Sequence, residues 1–431
     1  MSWGIGDRVG VAVSAGTIAT FNSRRPVPVP SLVLDFAGTG ALDPSITFTR
    51  STTGTYYNSS GVLATAAINV PRFSYNPSTL TPLGLLREPQ STNLILYSEN
   101  FTNTYAAWNS GVSSVRTLNT ITAPDGTFTG NTLTSVNANN GSFARQYILY
   151  SAGSNTGFIF VKKGNWPYFG IRLGSSITGG KIPFVNLDTL EVNNNGVSGA
   201  SISITPINNG WYKISLTFTT TAGTQVSDFG MTDSSGIQAT NLGAGQYCYI
   251  WGCQIEPLSF GTSYIPTTSA QVTRATDNAS MTGTNFSNWY NQGKGTIYCE
   301  SWIFSPVTAY PSPYSLNDAA NTNRIQPYIN NSLTSLGGDI TTGGVAQANI
   351  LITVPSMTSF IKSALSYELN NVNFAAAGIL GTTDTVATIP TNLTQLSIGT
   401  NSANGLFAMY IKKITYYPIA LSPTKTQALT T

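Results

Sequence analysis

Apolar and polar residues alternate with a period of two along most of this chain, and no long segment keeps a helical period. From Tyr247 to Glu256, the positions Tyr247, Tyr249, Trp251, Cys253 and Ile255 interleave with Cys248, Ile250, Gly252, Gln254 and Glu256. That spacing sends successive side chains to opposite faces of a pleated strand. Comparable runs precede it: FARQYILYS (143–151), TGFIFVKK (156–163), YFGIRL (168–173), KIPFVNL (181–187), SISITPI (201–207) and WYKISLTFTT (211–220). Clusters such as NANNG (137–141), NNNG (193–196) and NNG (208–210) separate them, and Asn-Gly pairs tolerate the positive φ of tight turns. Short strands at this rhythm predict an antiparallel sandwich.

Pro257, Gly261 and Pro266 stop the Tyr247 strand, and 267–279 is polar and short-chained, as a connector would be. A second series follows: GTIYCESWIF (295–304), RIQPYI (324–329), NILITV (349–354), FIKSALSYEL (360–369), VNFAAAG (372–378), LTQLSIG (393–399) and LFAMYIKKITYYPIAL (406–421). In the last run the apolar face passes from Phe407, Met409 and Ile411 to Ile414 and Tyr416, a change of phase that predicts a bulge at Lys412-Lys413. Ser422 as N-cap and Pro423 behind it predict a short terminal helix. Ahead of both series, SLVLDF (31–36), ITFTR (46–50) and TYYNSSGVLATA (55–66) read as strands, 71–89 as proline-punctuated irregular chain, and TNLILYSENF (92–101) as an apolar strand. Residues 1–30, ending in RRPVPVP, read as an extended anchoring arm. The expected fold is therefore all-β: two tandem antiparallel β-sandwiches, jelly-roll-like, over 31–280 and 281–431, preceded by the arm.

Composition narrows what such a chain does. Charged residues make up 9%, against about a quarter in ordinary proteins, so hydroxyls and amides must cover the surface. Hydrophobic residues at 41% suffice for packed cores. A net charge of +3, with no basic run beyond Arg24-Arg25, gives no footprint for nucleic acid or an anionic membrane. The chain has no histidine, which removes the commonest general base and most zinc sites. Three cysteines make no disulfide framework. Cys248 and Cys253 are expected on opposite faces of one strand, roughly 16 Å apart at about 3.3 Å per residue, as buried thiols. No leader peptide is expected in Met1 to Phe21, and no stretch nears the roughly 18 apolar residues of a membrane span.

Trp108, Trp166 and Tyr168 stand beside turns rather than in strand centres, which makes them candidates for a platform that stacks on sugar rings, with packing as the alternative. Trp211 and Trp251 lie within strands and are expected in the core. Arg50 and Arg274 are expected to tie strand ends together through acids such as Asp35, Glu88 or Asp277, the alternative being an anionic sugar. Glycoside hydrolysis needs two carboxylates. The nearest acidic pairs, Asp188 with Glu191 and Asp228 with Asp233, sit in or beside turns, and the Glu-x-Asp-x-x-Glu strand of retaining jelly-roll glucanases does not occur. LNDAANTN (316–323) matches no calcium-ligand spacing. No enzyme activity, cofactor or metal is expected.

The order ITFTR, GLLREPQSTNLILYSENF, NNGWYKISLTFT, YIWGCQIEPLSFGTSYIPTT and AQVTRATDN resembles a module recurrent in tailed-bacteriophage virion proteins, in which paired Thr-Arg segments frame a carbohydrate-binding-module-like sandwich. The resemblance covers about residues 31–280. Arg50 and Arg274 match the paired arginines, and Arg87-Glu88 and Thr92-Asn93 match the run before the long strand. Since VTRATD echoes TFTRST (47–52), the two segments are expected side by side. The later ALSYEL, LSIG and GLFAMYIKKITYYPIALSP are similar to concanavalin-A-like or laminin-G-like jelly rolls. Together these imply a virion structural protein, a tail fibre or receptor-binding protein, whose residues 1–30 dock to other virion proteins and whose sandwiches meet a host-surface glycan. They also imply a homo-oligomer, although no heptads or triple-β repeats occur. A capsid decoration or head-fibre protein, a polysaccharide depolymerase and a plain structural spacer are the alternatives.

Overall fold

The structure, a computed structural model, describes residues 28–102, 107–108, 114–136, 142–174, 181–237, 242–306, 310–320, 322–401 and 407–431. The arm expected over 1–30 thus lies outside the described residues up to position 27. Among the described residues the regular structure is nearly all strand, paired antiparallel as the alternation predicts, and the α-helices are short: Phe36–Thr39, Thr284–Ser287 and the terminal Pro423–Ala428, with Ser422 at its N-cap.

Two sandwiches are present, but the sheets divide the chain differently from the tandem boundaries expected at 31–280 and 281–431. An eight-stranded sheet runs in the order Ile379–Leu380, Asn371–Ala376, Ile361–Glu368, Lys294–Ile303, Met409–Tyr417, Pro82–Arg87, Phe73–Tyr75, with Leu32–Asp35 also on Met409–Tyr417. Its companion has seven strands, and there Thr47–Thr49 pairs with Asn278–Thr282. Residues 32–49 and 73–87 therefore belong to the C-terminal sandwich. Leu32, Leu34, Phe36, Ile46 and Leu85 pack in one core with Ile297, Leu316, Leu365 and Tyr416. The reason is edge satisfaction: Met409–Tyr417 pairs with Lys294–Ile303 on one side and needs both Leu32–Asp35 and Pro82–Arg87 to cover the other.

The other sandwich is inserted between these two halves. Its sheets are Phe143–Tyr150, Gly223–Met231, Tyr168–Leu173, Phe184–Asn186, Val192–Asn193, and Ser201–Pro206, Trp211–Thr220, Gly153–Lys163, Tyr247–Glu256, Gly130–Ser135, Ser114–Ile121. The chain enters through Ser91–Asn93 and leaves through Val272–Arg274, which pair antiparallel with each other. The strand expected over 92–101 ends at Asn93, whose side-chain oxygen takes the N–H groups of Ile95 and Ile255, and the chain continues as irregular backbone beside Tyr247–Glu256, with Tyr97 at φ 51°. The hairpin Gly54–Tyr57 with Leu63–Ala66 lies over the inserted sandwich, so that Leu63 shares a cluster with Phe160, Trp211 and Trp251.

Two bulges set which side chains face which core. The register of Lys294–Ile303 on Met409–Tyr417 slips at Lys412, where the change of phase places it. In Tyr247–Glu256 a second slip falls at Gly252, whose φ of 57° suits glycine. It moves Cys253 onto the same core as Cys248, so the two thiols do not lie on opposite faces as strict alternation predicts. All three cysteines are buried and unpaired with one another.

Candidate functional site

Trp211 and Trp251 are buried, each with its indole N–H satisfied, by the Thr122 carbonyl at 3.0 Å and the Thr129 hydroxyl at 3.0 Å. Trp108, expected on an exposed platform, is 1% exposed: it packs on Phe101 at 4.8 Å between centroids and donates to the Tyr97 carbonyl. Proximity to a turn does not decide exposure there, because the indole N–H reaches the Tyr97 carbonyl and the ring packs in the core. Trp166 is half-buried, donates to the Thr232 carbonyl at 2.7 Å, and presents its edge to Tyr168 at 6.1 Å. It supports the platform rather than forming it.

Tyr168 does line an open cleft, of about 450 Å³, with Phe184, Asn186, Glu191, Val192, Asn193 and Ser234. Pleat arithmetic assembles this face. Tyr168 lies opposite Asn186, and Phe184 opposite Asn193, in adjacent antiparallel pairs. Phe169 and Val185, one residue along, are fully buried in the inner core, so Tyr168, Phe184 and Asn186 point to the other face of the sheet, where Phe184 is itself only 6% exposed. Tyr168 and Phe184 meet edge to face at 6.1 Å. Two turns form the rim. Asp233 accepts from the N–H groups of Ser235 and Ile237, and Asn195 donates to the Ser235 carbonyl at 2.9 Å, which ties the 193–196 turn to the 233–237 turn. Asn186 and Asn193 each commit the side-chain oxygen to a turn N–H, that of Asp188 and of Asn195. Their amide N–H donors are left for whatever enters. Sequence reading marked Tyr168 and noted Glu191 only as half of an acidic pair, but not Phe184, Asn186 or Asn193, since only the pairing of Phe184–Asn186 with both neighbours gathers them.

Arg50 and Arg274 converge where the two sandwiches join. Asp277 accepts from Arg50 at 3.0 Å and from Arg72, and its second oxygen also takes the Glu88 backbone N–H at 2.9 Å. Glu88 pairs with Arg72 at 2.7 Å and with Arg274 at 3.4 Å. The Thr-Arg segments are joined through these acids rather than as paired strands: Thr47–Thr49 pairs with Asn278–Thr282, and Val272–Arg274 with Ser91–Asn93. Arg72, at the centre of the cluster, carries no motif that marks it in the sequence. Every member is buried.

Burial alone would raise the Glu88 pKa, but Arg274, Arg72 and the Ser263 donors outweigh it and hold the carboxyl at about 2. Folding thus favours the ionised form, a contribution that is complete above the ordinary glutamate value and lost as pH falls through about 2. Glu256, raised by burial despite donors from Ser91 and Thr262, has the opposite sign. Urea denaturation of wild type and Glu88→Gln from pH 7 to 2.5 should therefore show a difference in stability that is constant at neutral pH and shrinks below about pH 4. A constant difference throughout would contradict the assigned shift.

Three of the four acids noted as pairs in the sequence are held by other groups. Asp228 is buried between Arg145 and Arg172, Asp188 pairs with Lys163, and Asp233 organises its turn. The Tyr168 cleft carries one carboxylate, Glu191. Among the described residues no group of three or more His, Cys, Asp or Glu side chains is placed to hold a metal ion, and no helix is long and apolar enough to cross a membrane.

No family model matches the sequence, and no curated protein matches it significantly. Among solved structures the chain is similar to the Ruminococcus gnavus IT-sialidase CBM40 bound to alpha2,3 sialyllactose, at 18% identity over 32% of this chain and 84% of that one, with a TM-score of 0.28. Domain 4 of AbnA, a GH43 extracellular arabinanase from Geobacillus stearothermophilus, in complex with arabinotriose, matches at 12% identity over 40% of this chain and 83% of that one, TM-score 0.30. The receptor-binding domain of botulinum neurotoxin type G matches at 10% identity over 36% of this chain and 39% of that one, TM-score 0.28. At such identities and TM-scores, function has to be argued from the geometry of this chain.

Proposed function

We propose that this is a non-enzymatic glycan-binding protein whose binding site is the Tyr168 cleft. The observation that carries the reading is the composition of that cleft: the partly exposed Tyr168 ring, backed by the buried Phe184, on a sheet face surrounded by Asn186, Asn193, Glu191 and Ser234. Aromatic rings cover the apolar face of a sugar, while amide donors and a carboxylate acceptor match its hydroxyls. Its volume of about 450 Å³ falls within the roughly 300–1,000 Å³ of small-ligand sites. A lone carboxylate at the cleft is short of the pair that hydrolysis requires. A glycan array should give binding, and Tyr168→Ala should weaken it by about tenfold without lowering the midpoint of thermal unfolding by more than a few degrees. Release of oligosaccharides from a bound polysaccharide would replace this reading with that of a depolymerase.

The finer reading is that the protein belongs to a bacteriophage virion, as a tail fibre or receptor-binding protein, with residues 1–30 docked to the particle and the sandwiches displayed as an oligomer. It rests on the Thr-Arg frame around residues 31–280, the hydroxyl- and amide-rich surface and the proline-rich arm. Gold labelling of residues 1–30 on intact particles should mark the tail. Label on the capsid shell would assign a head-fibre or decoration protein instead.

A further inference from the structure

A second pocket, of about 280 Å³, opens where the two sandwiches meet. Tyr57 from the covering hairpin, Phe160 and Lys213 from the inserted sandwich, Tyr264 from the returning chain, and Trp302 and Tyr410 from the outer sheet all line it. Lys213 is half-buried, and its ammonium lies 4.1 Å from the centroid of the Phe158 ring. Among the described residues it has no ion pair or hydrogen bond. The carboxylates that act on it, Glu88 and Glu256, do so from a distance, each already held by its own donors: Ser263 and Arg72 for Glu88, Ser91 and Thr262 for Glu256. Burial lowers the Lys213 pKa from its ordinary value. With a ring face beside it and no bound acceptor among the described residues, this partly exposed ammonium is free to pair with an anion that enters the pocket.

We propose that this pocket is a second binding site, for a sugar that carries a carboxylate, its acid group pairing with Lys213 and its ring packing against Tyr57, Tyr264 and Trp302. Lys213 brings the lining's one lysine or arginine charge, which matches the single charge of a carboxylate better than the near-double charge of a phosphate monoester. Hydroxyls of Tyr57, Tyr410, Ser74, Thr205 and Thr262 around the pocket suit a polyhydroxylated ligand better than a bare apolar acid. The site is separate from the Tyr168 cleft, and neither depends on the other.

Calorimetric titration of the full chain with glucuronic acid, glucose and benzoate tests this. Glucuronic acid should bind at least about tenfold more tightly than glucose, because a charge-assisted bond inside a partly dry pocket is gained. Lys213→Met should abolish that preference while keeping the thermal midpoint of the wild type, and Tyr168→Ala should leave the preference intact. Equal binding of glucuronic acid and glucose, or a preference that survives Lys213→Met, would overturn the proposal. Binding of benzoate alone would overturn it by assigning the pocket to apolar acids. Loss of the preference in Tyr168→Ala would do so by moving the site to the other cleft.

Discussion

Replacing Asp277 by alanine should destabilise the folded protein by about 3–5 kcal/mol, the cost of stranding buried charge. Asp277 accepts from Arg50, Arg72 and the Glu88 N–H, and Arg274 lies 3.9 Å away. Without it, Arg72 and Arg274 share Glu88 as their close carboxylate, and the buried Arg50 loses the acid it pairs with. The residues involved come from both sides of the insertion, so both sandwiches should lose stability together. Asp277→Asn, which keeps an acceptor but not the charge, should cost less than alanine. The exposed Lys163–Asp188 pair supplies the contrast: Asp188→Ala should cost under about 1 kcal/mol. Urea denaturation followed by tryptophan fluorescence measures all three, and an Asp277→Ala protein as stable as wild type would mean that the cluster only fills space.

A chain of residues 281–431 alone should not fold. Met409–Tyr417 would lose Leu32–Asp35 and Pro82–Arg87 along one whole edge, and the core would lose Leu32, Leu34, Phe36, Ile46 and Leu85. Deleting even one such side chain from a core typically costs about 2–5 kcal/mol, and here five leave together with their strands. Residues 90–275 should fold alone, since the inner core runs from Ile95 to Ile255. They should do so with reduced stability, because the hairpin carrying Leu63 no longer covers Trp211 and Trp251. Circular dichroism melts should show a cooperative transition for 90–275 and none for 281–431. A cooperative melt of 281–431 would restore the tandem arrangement.

The alternation of apolar and polar residues carries the strand-rich fold because each strand's faces are a local property. Turn chemistry was equally legible: Asn195 and Asn209 take φ of 55° and 60°, followed by Gly196 and Gly210 at 72° and 74°. Lys412 falls where the apolar face changes phase. Strand partners are not local. Nothing within SLVLDF says that it pairs with Ile414 and Tyr416 rather than with its neighbours in sequence, so the nesting of one sandwich in the other stayed hidden. Gly252 was the one available sign that Cys253 changes face, a glycine inside a strand being a frequent mark of a bulge.

The candidate site was legible in one residue of three. Tyr168 faces out because Phe169 faces in, a consequence of the strand period. Trp108 and Trp166 stand beside turns just as Tyr168 does, yet both indoles reach a backbone carbonyl and pack. Proximity to a turn does not fix the direction of a side chain. The polar half of the cleft needed the short strand Val192–Asn193 to pair with Phe184–Asn186, and a two-residue strand leaves no periodicity to read.

The most direct test is a crystal structure of the chain with an oligosaccharide selected on the glycan array. The expected complex has a sugar ring against Tyr168, its hydroxyls within hydrogen-bond reach of Asn186, Asn193 and Glu191. An oligosaccharide seated elsewhere, with the Tyr168 cleft empty, would contradict the assignment of this face as the binding site.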